Sequence, residues 1–227
     1  MKIAEMFYSI QGEGMLAGVP SVFIRTSGCN LRCRWCDTPY AAWEGEGEEL
    51  GLEAILGFVG AHACAYVVVT GGEPMIARGI VPLTERLRRM GRHVTVETAG
   101  TVFAPVACNL MSISPKLSNS TPTGPGEQRR VARHERLRLQ PAVLRRLMDA
   151  YEYQLKFVVT EPGDLGEIRT LVRELKADPR RVLLMAEGTE ASQLRERGRW
   201  LVELCKQEGF RYSPRLQIEL YGHRRGV

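Results

Sequence analysis

The sequence predicts an α/β chain: an open, partial (β/α) barrel with about six parallel strands and a reduced set of helices. Three observations predict it. Apolar, β-branched segments alternate with segments of helical periodicity, the pattern of a parallel sheet. Polar motifs follow directly on the strands, where (β/α) barrels place their chemistry. The strands are too few to close an eight-stranded barrel.

The elements follow in order. Residues 1–5 read as the start of a folded strand. Residues 22–25 form a short apolar strand running into a cysteine-rich loop. Residues 50–61, with Leu52, Ile55, Leu56 and Val59, suit a helix. Residues 65–70 are unbroken by polar side chains and read as a strand buried on both faces, ending in Gly71-Gly72-Glu73-Pro74. A helix over 79–90 has an arginine-rich outer face and stops at Gly91. Strands follow at 93–98 and 110–114. Residues 117–128 are dense in turn formers and read as a loop. A helix at 141–150, a strand at 153–159, a helix at 164–177 and a strand at 181–185 come next. A helix at 190–208 is capped by Gly209. Residues 216–221 read as a last extended segment. No internal repeat is visible.

At 227 residues, a single domain spanning 1–227 is expected. Hydrophobic residues at 44% and charged residues at 25% are ordinary for a soluble globular chain. No apolar run reaches membrane-spanning length and no signal-peptide pattern opens the sequence. Six cysteines in that setting point to a reducing cytoplasm and to ligand roles rather than disulfides. The net charge is +5, and much of the basic excess lies in 129–146. That stretch reads as the solvated face of a surface helix rather than a nucleic-acid patch, and a positive face would also attract an anionic substrate. Neither a nucleic-acid nor a membrane partner is expected.

The strongest chemical signal is Cys29-Asn30-Leu31-Arg32-Cys33-Arg34-Trp35-Cys36. Three thiolates crowded on one loop suit three irons of a cubane cluster, because soft sulfur suits iron. With three cysteines instead of four, one iron is left to bind something else. The alternative is a zinc knuckle, which normally takes four ligands. His62 and Cys64 are the nearest further ligands, far downstream and not spaced like the triad. Gly71-Gly72-Glu73-Pro74 is the second signal, since glycines let a backbone approach a ligand and its carbonyls can accept from an ammonium. Its plainer reading is a strand-ending turn.

The Cys-x3-Cys-x2-Cys spacing, with Trp35 before the last cysteine, resembles the signature of radical S-adenosylmethionine (SAM) enzymes. The resemblance implies a TIM-like partial barrel and a [4Fe–4S] cluster on Cys29, Cys33 and Cys36. It also implies SAM bound at the open iron and cleaved to a 5′-deoxyadenosyl radical. The glycine turn matches the family's motif for the methionine amine. Trp35, Cys36, Asp37, Gly71, Gly72, Glu73, Glu97, Ser114, Pro115 and Lys116 are then the expected SAM contacts, with Thr98 beside Glu97. Met185 and Glu187 are expected near the adenine.

A narrower resemblance runs from end to end. Phe7-Tyr8-Ser9-Ile10-Gln11-Gly12-Glu13-Gly14, Gly18 to Arg25, Cys36-Asp37-Thr38, Gln154-Leu155-Lys156-Phe157 and Tyr221-Gly222 resemble the 7-carboxy-7-deazaguanine synthases. That implies a carbon–nitrogen lyase acting on 6-carboxy-5,6,7,8-tetrahydropterin. Its product is 7-carboxy-7-deazaguanine, with ammonia lost, on the way to queuosine-type nucleosides of tRNA. Hydrogen abstraction at C6 and ring contraction are the work of the SAM-derived radical, with SAM regenerated, so no side chain is expected as a catalytic group. Arg25 is expected to grip the substrate carboxylate in a two-pronged bond. Ile10, Gln11, Gly12 and Glu13 are expected to read the pterin edge, with Thr70 beside them. Gln217, in an expected terminal strand where many relatives carry histidine, is expected to hydrogen-bond the pterin without an acid/base role. Thr38 is expected to help bind Mg²⁺. A homodimer and a flavodoxin or ferredoxin electron donor are implied. The runners-up are a glycyl-radical-activating enzyme and a zinc-stabilised nucleic-acid module. Cys64, Cys108 and Cys205 read as small hydrophobes. His93 and His134 receive no role, and His223 belongs to a tail that helps close the pocket.

Overall fold

The computed structural model describes residues 1–124 and 126–227; Pro125, within the loop expected over 117–128, lies outside the described residues. Strand β1 (Lys2–Ile10) turns back into β2 (Pro20–Thr26), and the cysteine loop leads to a short helix α1 (Pro39–Ala42). A two-residue strand β3 (Glu48–Glu49) precedes helix α2 (Leu52–Gly60), β4 (Tyr66–Gly71), α3 (Ile80–Arg89), β5 (His93–Thr98) and β6 (Leu110–Ile113). Helices α4 (Gln128–Arg138) and α5 (Pro141–Ala150) lead to β7 (Tyr153–Val159), α6 (Leu165–Leu175), β8 (Val182–Ala186), α7 (Ala191–Glu208), β9 (Arg211–Ser213) and α8 (Leu216–Tyr221).

Among the described residues, one sheet contains all nine strands, in the order β3-β1-β2-β4-β5-β6-β7-β8-β9. From β2 to β9 every pairing is parallel, while β1 runs antiparallel to β2 and to β3. The sheet is open, with β3 and β9 at its edges. The six expected parallel strands are all present, and β9 adds a seventh at one edge.

Side chains alternate across a strand, so each strand serves two environments. Val22, Ile24, Val67, Val69, Val94, Val96, Leu155 and Phe157 face the helices and belong to the main core. The residues between them are Phe23, Arg25, Val68, Thr70, Thr95, Glu97, Gln154 and Lys156, on the other face. Apolar packing there shrinks to Phe7, Phe23 and Val68, with the two rings stacked 4.8 Å apart. Within the 65–70 run, Val67 to Thr70 are buried on both faces as the composition predicts, while Ala65 is exposed and Tyr66 half-buried. Further along the sheet the second face turns polar, and it faces a cavity.

The segment over 216–221 differs from expectation. The alternation Leu216, Ile218, Leu220 suggests a strand, but these residues form helix α8. Strand β9 takes the sheet edge three residues earlier, and Pro214 cannot donate to a ladder. Only Ile218 needs burial (4% exposed); Leu220 is 62% exposed. The expected loop over 117–128 contains a 3-10 turn, Ser118–Ser120, and gives way to α4 at Gln128. The basic stretch 129–146 therefore lies on two helices.

The chain's two ends meet across the open side. Gly14 N–H donates to Ser213 Oγ at 2.9 Å, and Leu216 N–H donates to the Gly12 carbonyl at 3.0 Å. Helix α8 thus seats on the loop after β1.

Candidate active site

The polar face and the loops at the C-terminal strand ends enclose a cavity of about 220 Å³. Ile10, Gln11, Gly12, Glu13, Arg25 and Thr70 line it, with Gln217 reaching in from α8. Cys29, Cys33, Trp35, Cys36, Asp37 and Thr38 line it from the cysteine loop. Gly71, Gly72, Glu97, Thr98, Ser114, Lys116, Met185 and Glu187 also line it, as do Lys156 and Arg215. Glu73 and Pro115 do not line it.

The cysteine loop leaves β2 through Gly28, whose φ of 98° only glycine adopts freely. Its N–H donates to the Ala41 carbonyl at 2.7 Å. Arg32 clamps the loop from outside, donating through Nη1 to the carbonyls of Cys29 (2.8 Å) and Leu31 (2.7 Å). Trp35 Nε1 donates to the Asn119 carbonyl at 3.0 Å, and Lys116 Nζ stands 5.7 Å from the Trp35 ring centre. Lys116 also donates to Ser114 Oγ at 2.7 Å. All three thiols are free. Burial pushes Cys29 up to about 11 and Cys33 up to about 12, and it raises Cys36 too. They are neutral thiols at neutral pH, so binding a metal centre must release their protons.

The glycine turn packs directly on this loop. Gly72 N–H donates to the Thr26 carbonyl at 3.1 Å, and Glu73 N–H donates to the Gly28 carbonyl at 2.9 Å. A Cβ on Gly72 would stand 2.1 Å from the Gly28 carbonyl oxygen and 2.9 Å from Cys29 Cβ. Only glycine permits that approach. Glu73 sits behind the wall, where its carboxylate accepts from Thr98 Oγ1 (2.7 Å), Ala99 N (2.8 Å) and Met75 N (3.1 Å). Burial raises its pKa despite those bonds. Its work in this structure is to bracket the ends of β4 and β5.

Two polar arrays fill the cavity's other side. Glu97 accepts from Gln11 Nε2 at 3.1 Å and from Thr70 Oγ1 at 2.9 Å, and Gln11 Oε1 accepts the Glu13 N–H at 3.1 Å. Gln11 is thereby fixed in one amide orientation. Glu13 pairs with Lys156, with Arg215 Nε at 3.1 Å and with Gln217 Nε2 at 2.8 Å. Arg215 also pairs with Asp37 and donates to the Gly188 carbonyl at 2.6 Å. Burial works to raise the Glu13 and Asp37 pKa values. The cations win: Lys156 and Arg215 hold Glu13 well below the usual carboxylate range, and Arg215 lowers Asp37. Arg25 is oriented from behind, with Nε on Glu5 Oε1 at 2.6 Å and the guanidinium 5.8 Å from the Phe7 ring centre. Its Nη groups carry no protein hydrogen bond among the described residues.

Lys156 and Arg215 are the residues sequence reasoning missed. Lys156 had a signal: a charged side chain between Leu155 and Phe157, both fully buried, in a strand whose other face must also be covered. Arg215 had none, because the segment reads as a strand and its three partners lie far away in sequence. His223 Nε2 lies 3.0 Å from the Asp37 carbonyl oxygen, so the tail does return to the cysteine loop.

Among the described residues, no three His, Cys, Asp or Glu side chains are placed to hold a single metal ion. Cys64 precedes β4 and bonds Pro20 and Tyr66, at the end of the parallel strands opposite the cysteine loop. His62 packs there at a tilt against the rings of Tyr8 and Phe58. Neither can join the triad, which removes the zinc reading that needed them. The donor chemistry fits a cluster: three thiols on one loop, facing a cavity.

Fold and site together define a radical SAM enzyme. Residues 23–121 match the Radical SAM superfamily model, which spans the strand, the cysteine loop and the glycine turn. Membership implies a [4Fe–4S] cluster and SAM. The 7-carboxy-7-deazaguanine synthase of Rhodopirellula baltica is 46% identical over 226 residues, covering 99% of this chain and 88% of that protein. The one of Halobacterium salinarum is 44% identical, covering 97% and 90%. The crystal structure of QueE from Escherichia coli superposes with a TM-score of 0.69 at 27% identity, over 93% of this chain and 92% of that one. The chain belongs to the 7-carboxy-7-deazaguanine synthase family. No helix among the described residues is long and apolar enough to cross a membrane.

Proposed function

We propose that the chain, as one domain over 1–227, converts 6-carboxy-5,6,7,8-tetrahydropterin to 7-carboxy-7-deazaguanine with loss of ammonia, a step toward queuosine. The observation that carries the reading is that one cavity holds three thiols together with two hydrogen-bonded polar arrays, Gln11–Glu97–Thr70 and Glu13–Lys156–Arg215–Gln217. A pterin offers a guanine-like edge of donors and acceptors plus a carboxylate, and the arrays complement both.

Cys29, Cys33 and Cys36 would hold the cluster. Trp35, Asp37, Gly71, Gly72, Ser114, Lys116, Met185 and Glu187 would hold SAM, with Glu97 between SAM and substrate. When bound, these groups supply a hydrogen-abstracting radical directed at C6. The residues of this chain do the positioning. Glu5 holds the Arg25 fork so that its free Nη groups take the substrate carboxylate in charge-assisted bonds. Glu13, kept ionised by Lys156 and Arg215, accepts N–H groups of the pterin edge. Gln11 and Thr70 read the remaining donors and acceptors from fixed orientations. Helix α8 covers the cavity through Gln217 and keeps water from the reacting centre. Thr38, whose hydroxyl stands 4.0 Å from Cys36 Sγ, would share Mg²⁺ with the substrate carboxylate. A cytoplasmic homodimer served by a flavodoxin or ferredoxin completes the reading.

Anaerobic turnover tests it. Reconstituted protein with SAM, Mg²⁺, reductant and the pterin is expected to form 7-carboxy-7-deazaguanine, detected by mass spectrometry. SAM cleavage with the pterin left intact would sink the substrate. Failure to assemble a cluster would sink the whole reading.

A further inference from the structure

Helix α4 is unused by the chemistry above, yet it is bolted to the cysteine loop. His134, 1% exposed, points inward from α4 and its Nδ1 accepts the Arg32 amide N–H at 3.2 Å. Its Nε2 lies 2.9 Å from Ser120 Oγ. The Ser120 hydroxyl donates to the Leu117 carbonyl at 2.6 Å, so it accepts from the imidazole. A neutral His134 with its proton on Nε2 satisfies every one of these bonds. The Ser120 carbonyl in turn accepts the Arg34 amide N–H at 2.9 Å. Helix α4 therefore stands one hydrogen bond from the residue preceding Cys33.

The outward side of α4 is strongly positive. Arg129, Arg130, Arg133 and Arg136 are all exposed, as is Arg34 on the loop itself. Arg130 pairs with Glu127 at 2.8 Å, and Glu135 is taken by Arg138 at 2.8 Å. Arg34, Arg129, Arg133 and Arg136 have no carboxylate partner among the described residues. A merely solvated helix is better served by alternating signs. Here Arg129, Arg133 and Arg136 follow one another at four- and three-residue spacing, where like charges repel. Arg129 and Arg130 also sit in the first turn, where cations oppose the helix dipole. Negative charge from outside the chain would relieve both penalties.

We propose that this face, Arg34 with Arg129, Arg133 and Arg136, docks an acidic one-electron carrier protein. The inference rests on the radical SAM reading, because a cluster that must be reduced requires a carrier close to its ligands. Charge complementarity selects an acidic partner, and the His134 and Ser120 bonds set the docked surface rigidly beside the cysteine loop. An RNA is the less favoured occupant: the face is confined to one helix and one loop, and nothing on it offers an aromatic stacking platform.

The experiment is a binding titration of reconstituted protein with an oxidised flavodoxin, across a range of salt concentrations. The comparison is R129E/R133E/R136E against R78E/R195E/R199E, a control of equal charge change on exposed arginines elsewhere. The α4 variant is expected to bind about tenfold or more weakly, with a flatter salt dependence. Its turnover with a small chemical reductant is expected to match the wild type. Equal affinity in wild type and α4 variant would overturn the proposal, as would equal losses in both variants, which would signal net charge alone. Loss of binding to bulk tRNA with flavodoxin affinity retained would also overturn it, assigning the face to RNA. If the wild type assembled no cluster, the failure would belong to the radical SAM reading instead.

Discussion

Arg215 and Asp37, 178 residues apart in the chain, form one ion pair in the cavity wall, the guanidinium buried and the carboxylate partly exposed. Asp37 directly follows the last cysteine of the loop, and Arg215 caps the start of α8. Through Glu13 the same guanidinium also reaches the loop after β1. One side chain thus fastens the cysteine loop, the substrate loop and the closing helix together.

Removing it leaves the largely buried Glu13 with Lys156 alone and the partly exposed Asp37 without a cation. Arg215→Met is expected to lower unfolding free energy in denaturant titrations by no more than the lower end of the about 3–5 kcal/mol that breaking a buried pair costs, because water screens Asp37 and Lys156 still serves Glu13. Arg215→Lys should recover part of the loss, since one ammonium cannot match a fork that serves Glu13, Asp37 and Gly188. An unchanged midpoint in the methionine variant would remove the pair from the account.

The Glu13–Lys156 pair carries a pH signature. Glu13 is depressed in the folded state from an ordinary value of 4.5. Its contribution is fully present above that value and is lost as pH falls from it toward the depressed native one, because the unfolded chain takes up the proton first. Lys156→Met brings the native value closer to the ordinary one. The expected result is a shallower loss of stability below pH 4.5 than in wild type, read as the difference between two acid titrations, together with a raised KM for the pterin.

Two glycines separate backbone strain from crowding. Gly14 has φ of 75°, and a Cβ there would meet Gln154 Nε2 at 2.3 Å. Gly18 has φ of 88° with nothing within 4 Å. Gly18→Ala should cost only the left-handed conformation, about 1–2 kcal/mol. Gly14→Ala should cost more and also weaken pterin binding, since Gln154 holds Met15 N at 2.8 Å beside the substrate loop. Melting temperatures and pterin titrations of both variants check this.

His134 offers a test by shape. Asparagine keeps an acceptor near the position of Nδ1, so it can still take the Arg32 N–H. Glutamine keeps a donor near Nε2 and serves Ser120 instead. Iron bound per chain after reconstitution should fall less in His134→Asn than in His134→Gln. The reverse order would mean that the Ser120 bond, not the Arg32 bond, supports the loop.

What the sequence disclosed follows from where its constraints are local. The cysteine triad and Gly71-Gly72 were legible because spacing along one loop is already geometry. The parallel strands were legible because a run such as Val67-Val68-Val69 must be buried on both faces. Arg215 was hidden because its three partners come from three distant segments. The switch from strand to helix at Leu216 was hidden because one buried residue, Ile218, suits either periodicity. Glu73 looked like a ligand-facing group by position, yet three hydrogen bonds hold it behind the wall.

The central claim is that one cavity joins the three-cysteine loop to a pterin-reading array. The most direct measurement follows 7-carboxy-7-deazaguanine formed and SAM remaining in the same anaerobic reaction. The account predicts many products per chain with SAM conserved. SAM consumed one for one with product, or consumed while the pterin persists, would contradict it.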